Sequence, residues 1–196
     1  MIQSERIHPA RSARTRFRVL VAGLAAIAIS GAAAGTGEAA APTCGQANAN
    51  PNQLSRTTTA RVTVCLLNAE RHARGLAPLA LNRVLSRAAT RHSRDMVARH
   101  YFSHTEPSGP ALVTRIRQAG YLRSARRWRV GENLAWGAGG KSTPKAIVRA
   151  WMHSPPHRKA ILTRSYRDVG LGVVSGIPQP AQGHGATYTA DFGVRR

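Results

Sequence analysis

A chain of 196 residues with 29 Lys and Arg against 8 Asp and Glu carries a formal net charge of +21. Once an N-terminal leader is set aside, that length suits one domain with a real core. Several classes are excluded: past the leader no stretch is apolar enough to span a membrane, no Cys-x-x-Cys pair offers a zinc cluster, and Gly137-Ala138-Gly139-Gly140 lacks the lysine and spacing of a phosphate-binding loop.

Residues 1–39 read as an export signal. Arg6, Arg11, Arg14, Arg16 and Arg18 form a positive region, Val19 to Ile29 is apolar, and small residues follow. The apolar run falls short of the ~20 residues of a spanning helix. The mature chain is therefore expected to have no transmembrane anchor and to be secreted or held in the cell envelope. Its charge is then about +18, nearly all from Arg. Such charge is either a solvated surface or an attraction to anionic envelope polymers, lipid headgroups or nucleic acid. Export and the scarcity of aromatics disfavour nucleic acid.

Residues 40–58 form a polar segment rich in Asn and Pro, and residues 59–196 form the domain. In an exported chain, Cys44 and Cys65 read as a disulfide tying the entry segment to the first helix. The rival is a reactive thiol at Cys65, which the apolar run VTVCLL argues against. Thr57, Thr58 and Thr59 offer a helix cap, and apolar residues then keep helical spacing to Arg74, where Gly75 stops them. Asn82 caps a second amphipathic helix, Arg83 to Arg99, with His92 at its core boundary.

His100 to Pro110 is a turn-rich loop set between helices, where functional side chains tend to sit. Ala111 to Ala119 resumes a helix ended by Gly120. The loop that follows sets Arg123, Arg126, Arg127 and Arg129 around Trp128. These arginines either brace the surface through a cation–π contact or form a docking patch for an anionic group beside Glu132. Gly131 to Trp136 is strand-like. Thr143 and Pro144 open a fourth helix, and Ser154 to His157 read as a break before a short helix from Arg158 to Leu162. Two strands with period two, Asp168 to Ser175 and Ala186 to Val194, close the chain. Helices first and strands last predict an α+β fold with a small antiparallel sheet.

Several of these segments together resemble the CAP superfamily (SCP-like), in its bacterial secreted subgroup. They are LLNAERHARGLAPLALN at 66–82, HSRDMVARHYFSHTEPSG at 92–109, RIRQAGY at 115–121, GENLAWG at 131–137, WMHSPPHRKAIL at 151–162, and DVGLGVV with TYTADFG near the end. The resemblance implies an α–β–α sandwich with a cavity that, in the family, is often lined by two His and two Glu and in some members holds a divalent cation such as zinc. It carries over in part. His104 and Glu132 match two of the four positions; Ser154 and Thr187 occupy the other two, while His157 matches the histidine of the bacterial Ser-Pro-x-His-Arg motif.

Three chemistries follow. His104, Glu132 and His157 could converge as an open zinc site. His104 and Glu132 could serve a hydrolase by acid–base or metal-assisted chemistry, although no G-x-S-x-G motif is present and Ser103 or Ser154 lacks an evident base. A binding protein needs neither: the cavity takes a small hydrophobic or cell-wall ligand, and the Arg-rich surface holds the protein to anionic envelope polymers. That last reading uses the charge and is the one preferred from sequence.

Overall fold

The computed structural model describes residues 2–4, 8–9, 43–179 and 184–196. The expected leader lies outside the described residues apart from residues 2–4 and 8–9. No helix among the described residues is long and apolar enough to cross a membrane.

Helix α1 spans Arg56–His72 and is capped by Ser55, whose hydroxyl accepts from the Thr58 amide. The cap stands just before the three threonines predicted for it. Helix α2, Arg83–Ala98, begins where expected, with the Asn82 side chain accepting from the amides of Val84 and Leu85. Helix α3, Leu112–Ala119, ends on Gly120 in the left-handed region at φ 94°, where glycine carries no Cβ penalty. Helix α4, Pro144–His153, is capped by Thr143. Helix α5 runs Pro155–Ile161, so Pro155 and Pro156 open a helix where a break was expected. The first helical turn has no intrahelical use for its N–H groups, so proline fits there.

The sheet is mixed rather than wholly antiparallel. Strand β4, Trp128–Ala138, pairs antiparallel with β6, Gly185–Arg195, which pairs antiparallel with β5, Asp168–Ser175. The two-residue β3, Ala80–Leu81, then adds to β5 in parallel. On the outer side of β4 the backbone of β1, Ile2–Ser4, and of β2, His8–Pro9, pairs antiparallel.

Side chains alternate across each strand. One face of the sheet is dry: Val169, Leu171, Val173, Tyr188, Ala190 and Phe192 pack with residues of α1, α4 and α5 such as Leu67, Trp151 and Ile161. The other face carries α2 and α3. Their smaller apolar cluster joins Leu85, Leu112 and Ile116 to Tyr121, Leu122 and Val130. Helix α2 lies flush on β5 because Gly170 and Gly172 stand beneath it; a Cβ at either would run into the backbone at Leu85 or Ala89. The result is the predicted α–β–α sandwich. The Cys44–Cys65 disulfide is formed, with Cα atoms 5.8 Å apart, and ties the entry segment to α1.

Candidate functional site

Four segments distant in sequence meet on the α2–α3 side of the sheet: β4, β6, α3 and the loop after α2. Glu132 is at the centre, fully buried on β4. His104 Nδ1 lies 2.7 Å from Glu132 Oε1. Since a carboxylate only accepts, the Nδ1 proton is the donor. Arg115 on α3 donates from Nη2 to Glu132 Oε2, also at 2.7 Å. Arg115 Nη1 donates to the carbonyls of His104 and Pro110, at 2.7 and 3.0 Å. One guanidinium thus holds both the carboxylate and the loop that carries the histidine.

A second carboxylate stands beside the first. Asp191 on β6 is the direct register partner of Glu132 and is also buried. Like charges opposite each other destabilise a sheet unless a cation offsets them. Arg115 supplies that cation: burial works against its charge, but Glu132 and Asp191 outweigh burial and its pKa is raised. Burial alone would raise the Glu132 carboxyl. The His104 hydrogen bond and the Arg115 charge overcome it and hold Glu132 well below the usual carboxylate range.

His92 on α2 backs this cluster, buried as the sequence implied. Its Nε2 donates to the Ser103 carbonyl at 3.0 Å, fixing the loop one residue before His104. Burial, its largest influence, lowers the imidazole to a pKa of about 4. Beside this cluster and sharing Arg115 with it, α2 and α3 wall a cleft of about 460 Å³ lined by Arg91, Arg94, Asp95, Glu106, Arg115 and Gln118 together with three small apolar residues. Tyr101 donates to Asp95 Oδ2 at 2.6 Å on the same side.

His104 and Glu132 are therefore brought together, but the three-ligand metal set is not assembled. His157 belongs to α5, in the layer across the sheet. Its Nδ1 lies 2.6 Å from Ser154 Oγ, and its carbonyl accepts from Asn133, which alternates to the face of β4 opposite Glu132. Both Glu132 oxygens are already committed. Among the described residues no group of three or more His, Cys, Asp and Glu side chains is arranged to hold a metal ion. The residues present do not fit the zinc site that the family resemblance implied.

The arginine loop divides. Arg123, Arg126 and Arg127 are exposed, whereas Arg129 is half-buried and donates to Ser165 Oγ at 3.0 Å. Strand alternation also turns Arg129 away from the face that bears Glu132. The cation–ring contacts among the described residues are Arg99 over Tyr101 and Arg195 over Tyr121, at 5.8 and 4.9 Å, and neither uses Trp128.

Arg115 and Asp191 escaped the sequence reading. Arg115 stands beside Ile116 on the inward stripe of α3, and a charge on an apolar stripe is itself a signal. Asp191 is one of only eight acids in the chain. Where acids are so scarce, each one asks what it is paired with.

The motifs on this face recur elsewhere. Residues 64–181 match the sequence model of the cysteine-rich secretory protein family, CAP. The chain belongs to that family. YkwD of Bacillus subtilis is 37% identical over 109 residues, which are 56% of this chain and 40% of YkwD. An extracellular protein of Bacillus anthracis containing an SCP domain superposes with a TM-score of 0.57 at 25% identity, over 73% of this chain and 44% of that one. An outer surface protein of Borrelia burgdorferi shares the fold, with a TM-score of 0.59 at 20% identity over 73% and 97% of the two chains. The CAP chain described here thus spans less than half of YkwD and of the Bacillus anthracis protein. Its sandwich, with α2 and α3 on one face and α1, α4 and α5 on the other, is the bacterial CAP fold.

Proposed function

We propose that this CAP domain is exported and binds a polar, charge-bearing fragment of the cell wall, without turning it over, in the cleft between α2 and α3. The observation that carries the reading is the lining of that cleft. Six of its nine lining residues are charged or polar, and they include both signs: Arg91, Arg94 and Arg115 against Asp95 and Glu106. Charged groups of both signs at the wall suit a ligand that carries both carboxylate and amine groups. One relative points the same way for location: the Bacillus anthracis protein is described as extracellular.

Glu132 and Arg115 serve this reading as a frame. They pin His104 and the loop from Ser103 to Pro110 against the sheet, so one edge of the cleft is preorganised. The hydrolase alternative draws on the 2.7 Å contact of His104 with Glu132, the geometry of an imidazole oriented by a carboxylate. A carboxylate held so firmly ionised is a weak base near neutral pH and does not donate a proton there.

Calorimetric titration with soluble peptidoglycan fragments tests the proposal. Saturable binding is expected, weakened at least tenfold by Glu106→Gln combined with Gln118→Leu. Release of cleavage products by the unaltered protein, abolished in Glu132→Gln, would replace binding with hydrolysis.

A further inference from the structure

Helix α2 turns Leu85, Ala88, Ala89, His92, Ser93 and Met96 inward. Arg83, Arg87, Arg91 and Arg94 occupy its outer face, and all four are exposed. At ~100° per residue these positions fall within an arc of about 80°, and at ~1.5 Å rise they extend over about 16 Å. They form a ridge of four guanidinium groups. Among the described residues none of the four has an ion-pair partner; the carboxylates nearby are engaged by Arg99, Arg115 and Tyr101 instead. Four like charges on one helix face repel each other and destabilise the helix slightly. The same spacing suits a partner that supplies a row of negative charges.

We infer that the Arg83–Arg87–Arg91–Arg94 ridge is a docking surface for a linear phosphate-bearing polymer of the cell envelope. The ridge runs into the cleft described above, since Arg91 and Arg94 line both. A chain lying along α2 therefore meets a depression where a substituent can enter. The inference rests on the envelope location proposed above and adds the polymer to the small ligand. A bilayer is a poorer occupant. Leu81, at 37% exposure, is the one large hydrophobic residue exposed among the described residues, so the surface offers no apolar side to enter a membrane. Single-stranded nucleic acid is also a poorer occupant, because the ridge presents no aromatic side chain on which bases could stack.

The surface separates from the cleft by substitution. Arg83 and Arg87 belong to the ridge but do not line the cleft. Binding of fluorescently labelled inorganic polyphosphate is measured by anisotropy from 50 to 200 mM NaCl. Four charge contacts on a flexible chain predict a log–log salt slope near −3, a loss of about 50-fold over that range. Arg83→Gln with Arg87→Gln should weaken binding about 25-fold at 0.1 M salt and flatten the slope by about 1.4. The control pair Arg123→Gln with Arg126→Gln removes the same charge from the exposed loop and should change affinity less than threefold.

Equal losses for the two pairs would reduce the effect to net charge and overturn the inference. So would no binding to polyphosphate at 50 mM salt, or tighter ridge-dependent binding to anionic vesicles or single-stranded DNA. Peptidoglycan-fragment binding should be untouched by Arg83→Gln with Arg87→Gln. That result distinguishes failure of the ridge from failure of the cleft.

Discussion

Replacing Arg115 by Met tests whether one guanidinium holds the site. The substitution keeps the volume of the stem and removes three donations: one to Glu132 and two to the carbonyls of His104 and Pro110. Glu132 is left fully buried with a like charge opposite it at Asp191. Breaking a buried pair by removing one partner typically costs about 3–5 kcal/mol, because the remaining charge is uncompensated. For a chain of this size that lowers Tm by roughly 6–20 °C.

The pH dependence gives a second readout. Glu132 titrates below its unfolded value, so its stabilising contribution is complete above pH ~4.5 and is lost as pH falls through the folded pKa. Without Arg115 the depression shrinks, so less stability is lost on acidification below the unfolded value. Urea denaturation at pH 7 and at pH 4, for Arg115→Met, Glu132→Gln and the double variant, completes a cycle. A favourable coupling of at least 1 kcal/mol is expected. A single Arg115→Met cost below 1 kcal/mol, with an unchanged pH profile, would refute the frame assigned to Arg115.

His92 should produce its own window. Its folded pKa of about 4 lies under the unfolded value near 6.5, so the protein should lose up to about 3 kcal/mol between pH 6.5 and 4, and His92→Gln should flatten that slope in denaturant titrations. Reducing Cys44–Cys65 opens a loop of 21 residues in separation and should cost about 3 kcal/mol, read as a fall in the urea midpoint with dithiothreitol. Gly172→Ala forces a methyl group into the backbone of α2 at Ala89; a loss of about 1–3 kcal/mol is expected, and an unchanged Tm would contradict the flush packing. Zinc titrated into the protein should give no site-specific heat at micromolar metal, since His157 and Glu132 are held by other partners.

Capped helices were the most legible part of the sequence. Asn82, and Thr143 followed by Pro144, mark helix starts by side-chain chemistry alone, and both caps are present. Strands β5 and β6 show period two because only one of their faces is apolar. Local signals failed where tertiary context decides. Pro155 and Pro156 look like breakers unless one knows that a helix begins at them. Two residues, as in β3, are too few to show any period. In the site, His104 and Glu132 were found through motifs, and they meet. The ligand role expected for His157 depended on which sheet layer its helix would occupy, and no spacing in the sequence encodes that. Asp191 becomes visible only when the β4–β6 register is known, because its partner lies 59 residues earlier.

On β6, Tyr188, Ala190 and Phe192 point into the main apolar cluster, while Thr189 and Asp191, between them, point toward α2 and Glu132. Neighbouring positions in this strand therefore answer to different demands, one set to the apolar layer and the other to the buried polar network beneath α2. A lineage could exchange the members of one set while the other kept its side of the sheet packed.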